Sequence, residues 1–312
     1  MLTIYSYKTT DPQLHVLDAI EPGCWINVVD PLPAEIDRVS EELGIPIDYL
    51  TYPLDIDERA RTEKDEGVML IILRVPRYEG DIADIPYVTM PLGIILTERA
   101  IVTISKVETD ILTDFAQGRV KGWSTAKRNR FVLQILLSTA QHYLYHLRAI
   151  DKGIDRLEDQ LQRTPRNREV LELLKYQKSL VYFTTALRSD ELMMERLQRS
   201  QIFKLYPDDE DLLDDVLIEI RQAIEMTGIS NNILTQTVDA FGSIISNNLN
   251  VVVKLLTSMT IILTVPMLIA SIYGMNVNLP FQDLEHGFWI VMAIALGTAG
   301  LVVYIFWKRD WF

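Results

Sequence analysis

The chain has 312 residues, with 30 Lys or Arg against 43 Asp or Glu, so its formal net charge is −13 at pH 7. Nucleic-acid binding needs a basic surface, and this acidic balance therefore argues against a nucleic-acid partner. Cys24 is the single cysteine, which excludes a disulfide within the chain and fits a reducing compartment. The N-terminus lacks a charged segment followed by an apolar core, so we expect no cleavable signal peptide.

The first part of the chain predicts a mixed α/β domain over residues 1–123. Short runs rich in β-branched or aromatic residues, bounded by turn residues, are typical of strands. Residues 33–43 have helical spacing and are followed by Gly44, a common helix terminator. The strands are expected at residues 2–7, 24–29, 68–75, 87–96 and 101–107.

From about residue 124 the apolar spacing becomes helical. Thr164-Pro165 separates two predicted helices, which we expect to form a hairpin over residues 124–207. Pro207 marks the next break, and no proline follows until Pro266. One helix is therefore predicted over residues 208–273, about 100 Å long at ~1.5 Å per residue, with residues 208–250 as a stalk.

Two apolar runs near the C-terminus are long enough to cross a membrane. Residues 251–273 carry Lys254 as their one charge, and residues 288–307 carry none. A helix needs about 20 apolar residues to span the hydrocarbon core. We therefore predict two transmembrane helices, joined by a loop over residues 274–287 and followed by a basic tail at 308–312.

The charges beside these runs predict how they are oriented. Lys254, Lys308 and Arg309 flank the two spans, whereas the loop holds Asp283 and Glu285 and no basic residue. Positive charge marks the cytoplasmic side, so both termini should be cytoplasmic and the loop outside, in a plasma (inner) membrane. The net charge of −13 then belongs to the part before residue 251, where it attracts cations or only keeps a domain in solution.

The predicted helix over residues 208–273 carries a polar stripe as well as an apolar packing seam. Polar residues facing lipid are costly, so the stripe predicts a surface turned toward a bundle interior or water. The plainer alternative is that its Ser and Thr hydroxyls bond to their own backbone. Its members, spaced three and four apart, are Asp239, Ser243, Ser246, Asn250, Val253, Thr257, Thr260, Thr264, Met267 and Ser271.

One hairpin cannot enclose a water-filled pore, because two spans leave no interior. A pore therefore requires a symmetric assembly of several copies, with one stripe from each copy facing the axis. The sequence itself leaves the number of copies open.

Gly274-Met275-Asn276 closes the first apolar run. It follows Ile272-Tyr273 and Pro266, and a short acidic loop and a basic tail come after it. In this context the chain resembles the CorA magnesium-transporter family over essentially its whole length. The resemblance implies an α+β membrane protein that has an N-terminal cytoplasmic α/β domain, a long helical stalk and two C-terminal transmembrane helices, assembled as a homopentameric funnel.

The resemblance also implies roles for single residues. Mg²⁺ demands octahedral oxygen coordination and gives up its water reluctantly, so a ring of amides could bind the hydrated ion without stripping it. That ring would be Asn276 within the selectivity motif Gly274, Met275 and Asn276. The implied pore-lining residues are Asp239, Asn250, Thr264, Met267 and Ser271, and the implied apolar gate, which closes by dewetting, is Val253 and Leu256.

Acidic residues supply weaker metal candidates. Six carboxylates between Asp208 and Asp215 begin the long helix, where they also stabilise the helix dipole. The resemblance implies a regulatory divalent site at Asp215, with Asp214 beside it. Thr51-Tyr52 stands where that family has partner acids, with Asp55 and Asp57 nearby.

Three further features are ambiguous or negative. In the outer loop, Asp283 and Glu285 either attract cations or are ordinary loop charges. His142 and His146 have the i, i+4 spacing of zinc ligands, although packing explains them as well. Neither G-x-x-x-x-G-K-[ST] nor G-x-G-x-x-G occurs, so no nucleotide cofactor is expected.

Three functions remain open. The first is a divalent cation channel or transporter for Mg²⁺, and also Co²⁺ or Ni²⁺, driven by the membrane potential. The second is a zinc transporter of the same superfamily, and the third is a tail-anchored cytoplasmic scaffold or sensor. An enzyme is not expected, because no set of nucleophile, base and orienting residue stands out.

Overall fold

The structure is a computed structural model that describes residues 1–8, 11–163, 167–200, 206–281, 284–309 and 311. The chain divides into two units, Met1–Val238 and Asp239–Phe312. The first unit contains a β-sheet and helices, and the second contains helical segments only within its described residues.

A seven-stranded sheet forms the centre of the first unit. β3 and β7 pair in parallel, all other neighbours pair antiparallel, and the order is β2-β1-β3-β7-β6-β5-β4. The strands are β1 (Leu2–Lys8), β2 (Asp11–Leu17), β3 (Cys24–Val29), β4 (Arg61–Asp65), β5 (Val68–Tyr78), β6 (Tyr87–Leu96) and β7 (Ala100–Ser105).

The five predicted strands are present, and the two that were not predicted, β2 and β4, are the edges of the sheet. β4 reads Arg-Thr-Glu-Lys-Asp and is half-buried to exposed. Edge strands often carry charged residues that prevent pairing with other chains. They therefore lack the apolar run from which the inner strands were predicted.

Seven helices are described. The positive φ of 66° at Gly44 ends the first of them, as its sequence predicted. The short α2 and α3 were not predicted. The helices are α1 (Pro33–Leu43), α2 (Ile47–Thr51), α3 (Asp110–Ala116), α4 (Arg128–Arg163), α5 (Asn167–Arg199), α6 (Pro207–Tyr273) and α7 (Gly287–Lys308), and a 3-10 turn covers Tyr52–Leu54.

Helices cover both faces of the sheet. On one face Ile26, Leu70 and Val102 pack in a buried cluster with Val39 of α1 and Leu50 of α2. On the other face α4 and α5 pack against β5 and β6. Strands covered on both sides need apolar residues at successive positions, which explains the continuous apolar run at the start of β5.

Beyond the end of β4, side chains of α4 and α5 form hydrogen bonds with backbone groups of β5. β4 begins at Arg61, opposite Ile72, so Arg74 lies beyond its reach. The Arg74 N–H donates to Oδ1 of Asp190 at 2.9 Å, and the Arg74 carbonyl accepts from the Tyr143 hydroxyl at 3.0 Å. Asp190 is fully buried, and burial raises the pKa of its carboxyl well above its usual range.

Replacing Asp190 tests this edge contact. In the unfolded chain the carboxyl ionises near its ordinary pKa of 3.8, whereas the folded state favours the neutral form. Stability of the natural chain should therefore fall as pH rises above that value. Asp190→Asn keeps an acceptor for the Arg74 N–H and removes the ionisation. We expect its melting temperature to exceed that of the natural chain at pH 7.5 and to approach it near pH 4, measured by calorimetry in detergent.

The matched control is Asp190→Ala. It leaves the Arg74 N–H buried without an acceptor, which should cost about 1–3 kcal/mol relative to Asp190→Asn at either pH. An Asp190→Asn protein that is as unstable as Asp190→Ala at pH 7.5 would contradict the proposed neutral carboxyl.

Candidate ion pathway

Two helices of the structure are long and apolar enough to cross a membrane, α6 from Asp208 onward and α7. In the most apolar window of each helix, 6% of residues are buried inside the single chain. Apolar side chains on α6 such as Val251, Leu263 and Leu268 are more than half exposed. A single copy therefore leaves this surface to be covered by lipid or by other chains.

The residues predicted to line a pore lie on exposed surface of α6 or just beyond its end. Steps of eleven, three, three, eight, three and four from Asp239 to Ser271, each close to a whole number of helical turns, keep them on one side of the helix. Exposed in the single chain are Asp239, Asn250, Val253, Leu256, Thr264, Met267, Ser271 and Asn276. Within the described residues no other segment covers them, so they are left to another copy, lipid or solvent.

Two hydroxyl groups of the stripe donate hydrogen bonds to backbone carbonyls of the same helix. Oγ1 of Thr260 donates to the Leu256 carbonyl at 2.8 Å, and Oγ1 of Thr264 donates to the Thr260 carbonyl at 2.7 Å. This is the bonding that the plainer alternative expects. Each hydroxyl oxygen still has acceptor capacity, so these bonds leave it able to accept from the waters of a hydrated cation.

Val253 and Leu256 form an apolar interval in the stripe. They are 51% and 59% exposed, and they lie between Asn250 and the threonines at 257 and 260. In a symmetric assembly such an interval would become an apolar ring between two polar ones. A narrow apolar ring can exclude water and stop ions.

α6 ends at Tyr273, immediately before Gly274-Met275-Asn276. The Gly274 N–H donates to the carbonyls of Ala270 and Ser271, at 3.0 and 3.2 Å, and the Met275 N–H donates to Ile272 at 3.2 Å. These bonds satisfy helix-end carbonyls and tighten the last turn. Asn276 follows as an exposed residue whose side chain has no hydrogen bond within the described part of the chain.

The loop after this motif is fixed at both ends by contacts that the sequence did not predict. The Tyr273 hydroxyl donates to the Pro280 carbonyl at 3.0 Å, which folds the loop back onto the helix end. At the other end, a Cβ on Gly287 would lie 2.2 Å from the Phe281 carbonyl oxygen, so only glycine fits there. The loop geometry next to Asn276 therefore depends on Tyr273 and Gly287.

Of the two acids predicted to attract cations from this loop, Glu285 is exposed. Asp283 lies outside the described residues. An exposed carboxylate raises the local concentration of cations without binding one tightly.

The acidic start of α6 is partly engaged within the chain. Oδ1 of Asp214 accepts from Nε2 of Gln198 at 2.8 Å, whereas Asp215 is exposed. Asp209 is 4% exposed and lies 3.9 Å from the Arg130 guanidinium; burial raises the pKa of Asp209, and Arg130 opposes the shift. Among described residues, no group of three or more His, Cys, Asp or Glu side chains is placed to hold a metal. A site at Asp214 and Asp215 would thus need ligands from another copy.

His142 and His146 make contacts that suit packing. Nδ1 of His142 lies 2.8 Å from the Ser138 carbonyl oxygen, and its Nε2 lies 3.5 Å from Asp114. Burial, with a smaller contribution from His142, lowers the pKa of His146 to about 4, so that imidazole is neutral at pH 7. No third metal ligand accompanies the pair in the described ranges.

Known proteins resemble this chain over almost its full length. The family described as CorA-like Mg²⁺ transporter protein matches residues 21–309. The cobalt/magnesium transport protein CorA of Methanocaldococcus jannaschii is 31% identical over 298 residues, covering 92% of this chain and 90% of that protein. The protein of the same name from Thermotoga maritima is 25% identical over 313 residues, covering 98% and 88%.

The fold agrees as well. The complete structure of the CorA magnesium transporter from Methanocaldococcus jannaschii matches with a TM-score of 0.86 at 27% identity, covering 100% of this chain and 99% of that one. The predicted architecture of an α/β sheet domain, a long helix and two apolar C-terminal helices is thereby confirmed, while the number of copies stays a prediction. On the sequence match and the shared fold together, this chain belongs to the CorA-like Mg²⁺ transporter family.

Proposed function

We propose that this chain is the subunit of a homo-oligomeric channel that carries hydrated Mg²⁺ across the inner membrane, and Co²⁺ or Ni²⁺ as well. The observation that carries the proposal is the stripe of α6, which is exposed from Asp239 to Ser271, is mainly polar apart from the apolar interval at Val253 and Leu256 and from Met267, and leads to the exposed Asn276 just beyond the helix. Mg²⁺ and Co²⁺ transport are also the activities named for the two CorA relatives.

Self-association follows from the two unlike surfaces of the helices. Lipid can cover the apolar side chains that a single copy leaves exposed, but its hydrocarbon cannot hydrogen-bond to the polar side chains of the stripe that lack a partner within the helix, such as the Asn250 amide. A ring of copies turns one stripe from each toward a shared axis and the apolar surface outward. Five copies is the number that the family resemblance implies.

Asn276 would form the selectivity ring at the outer mouth. Waters around Mg²⁺ present their hydrogens outward, and amide carbonyls accept them without replacing them. A ring of neutral amides holds the ion more weakly than a ring of carboxylates would, and therefore lets it leave. The backbone contacts of Gly274 and the Tyr273–Pro280 hydrogen bond would set where those amides point.

The membrane potential would supply the driving force. With both termini in the cytoplasm, as the flanking charges predict, Mg²⁺ moves inward toward negative potential. The free energy of a divalent ion falls by about 4.6 kcal/mol when the ion moves inward across a potential of ~100 mV. This is a sufficient source of free energy without nucleotide hydrolysis.

Regulation would come from the start of α6. Asp215 is exposed, and among the described residues the hydrogen-bond partner of Asp214 is a neutral amide, so both could accept a divalent ion together with ligands from a neighbouring copy. Ions that bind the closed assembly more tightly than the open one shift the population toward closed.

The first test replaces the selectivity amide. Asn276→Ala in reconstituted liposomes should lower Mg²⁺ flux by at least tenfold, because no acceptor remains for the hydrated ion, while the assembly elutes unchanged from a sizing column. Asn278→Ala, two residues further along the same loop, is the control and should keep its flux. Zn²⁺ and Ni²⁺ are measured beside Mg²⁺, and a flux of Zn²⁺ alone would favour a zinc transporter. Undiminished Mg²⁺ flux through a correctly assembled Asn276→Ala protein would rule out the selectivity role.

The second test concerns the apolar interval. Leu256→Asn should wet the ring and raise basal ion leak severalfold, since an amide stabilises water where leucine excludes it. Leu255→Asn places the same amide one position along the helix, on another side, and should leave the leak unchanged. Equal leak through both variants would mean that the effect comes from general loosening of the helix, and the gate would have to be placed elsewhere.

The third test concerns regulation. Asp214→Asn combined with Asp215→Asn should shift the concentration of internal Mg²⁺ that halves the flux upward by about tenfold, equivalent to ~1.4 kcal/mol of coupling. Glu225→Gln changes an exposed carboxylate further along α6 and serves as the control. Dose curves that superimpose for the natural and doubly changed proteins would mean that these acids only stabilise the start of the helix.

A further inference from the structure

One cavity in the first unit is rich in arginine, and the proposed ion pathway does not use it. Its volume is about 710 Å³, and it lies between the loop at residues 55–60, strands β5 and β6, and helix α5. Four guanidinium groups line it, those of Arg59, Arg74, Arg188 and Arg196, against one carboxylate, that of Asp57.

Arg74 is held rigidly at the inner end of this cavity. Its Nε donates to Thr89 Oγ1 at 3.1 Å and one Nη2 hydrogen goes to the Thr89 carbonyl at 2.8 Å. Its Nη1 donates to the carbonyls of Ile56 and Glu58, at 3.0 and 2.7 Å. All four acceptors are neutral, so they orient the guanidinium and leave its charge uncompensated. A fifth N–H remains for a ligand.

Arg59, Arg188 and Arg196 are exposed, and Arg74 is half-buried. Within the described residues, none of the four makes an ion pair. The acids of α5 are engaged elsewhere, because Glu191 and Glu195 both pair with Arg221 of α6, at 3.1 and 3.0 Å. The buried Asp190 accepts from the Arg74 N–H, and burial raises the pKa of that carboxyl, so it favours the neutral form.

Four arginines around one cavity of an otherwise acidic chain make the local potential positive, which favours an anion there. The planar guanidinium group matches the oxygens of phosphate, to which it donates two parallel hydrogen bonds. Small-molecule sites commonly have volumes of about 300–1,000 Å³. Besides the hydroxyl residues Thr89, Thr185 and Ser189, the remaining wall has an apolar part that includes Tyr182, Leu192 and Met193, which suits the uncharged part of a ligand.

We propose that this cavity binds a polyphosphate anion of the nucleotide class, with its phosphates on the arginines and its base against Tyr182 and Leu192. The chain lacks the glycine-rich loops typical of nucleotide hydrolysis, so the anion is a bound ligand and is not cleaved. Polyphosphates are strong Mg²⁺ ligands, which makes them a fitting signal for a magnesium transporter. The binding itself does not depend on the proposed ion conduction.

The test is isothermal titration of the purified full-length protein in detergent, in the absence of Mg²⁺. Pyrophosphate and adenosine triphosphate are titrated separately, with inorganic phosphate as the weaker comparison. We expect one site per chain for both polyphosphates and weaker binding as salt is raised. Arg188→Gln and Arg196→Gln remove exposed side chains and should each weaken binding about tenfold or more.

Arg199→Gln is the matched control, because Arg199 is an exposed arginine of the same helix that pairs with Glu195 and does not line the cavity. Its affinity for pyrophosphate should equal that of the natural chain. Absence of binding by both polyphosphates overturns the proposal, as does an equal loss of affinity in Arg199→Gln. If neither probe binds and Arg188→Gln or Arg196→Gln instead releases copies from the assembly, the cavity holds carboxylates of another copy and not a phosphate ligand.

Discussion

The constraint on which the rest depends is that a two-helix membrane unit cannot bury its own surface. In α6 and α7 the most apolar windows are 6% buried within one copy, and the polar stripe of α6 is as exposed as the apolar side chains around it. Lipid can cover the apolar side chains, but it is a poor solvent for the polar stripe. An assembly of copies with the stripes inward, as proposed here, would meet both requirements at once, and the water-filled path and the oligomer would then have the same physical origin.

How far the sequence predicted the fold depended on burial. Inner strands such as β5 and β6 are covered on both faces, and their uninterrupted apolar runs identified them. The edge strand β4 is charged and half-exposed, so its pattern resembles that of a loop. The short helices α2 and α3 gave too few turns for a periodic signal. The long helices were predicted within a few residues because Thr164-Pro165 and Pro207 mark where one helix gives way to the next. Proline alone does not decide this, since Pro207 occupies the first turn of α6, where its missing N–H costs nothing, and Pro266 lies inside the same helix.

For the site, the sequence predicted which residues share one side of α6 but not the contacts that fix their surroundings. Helical spacing alone brings Asn250 and Thr264 to one side of the helix. The hydrogen bond from Tyr273 to Pro280 and the close approach of Phe281 to Gly287 depend on the path of the loop, which has no periodicity. The arginine cavity was likewise invisible, because Arg59, Arg74 and Arg188 come from a loop, a strand and a helix that only the fold brings together.

The chemistry of the stripe also explains why so acidic a chain would use so few charges to conduct a cation. Between Asp239 and Glu285 the described residues of the stripe and loop offer amides, hydroxyls and carbonyls as oxygen donors. A carboxylate ring in a low-dielectric pore would bind a divalent ion too strongly to release it. Neutral oxygens accept from the water shell and leave the ion's charge screened by its own waters. In the proposed channel, rapid passage would favour neutral acceptors along the path beyond Asp239, and carboxylates would serve where ions are to be retained, as we propose for Asp215.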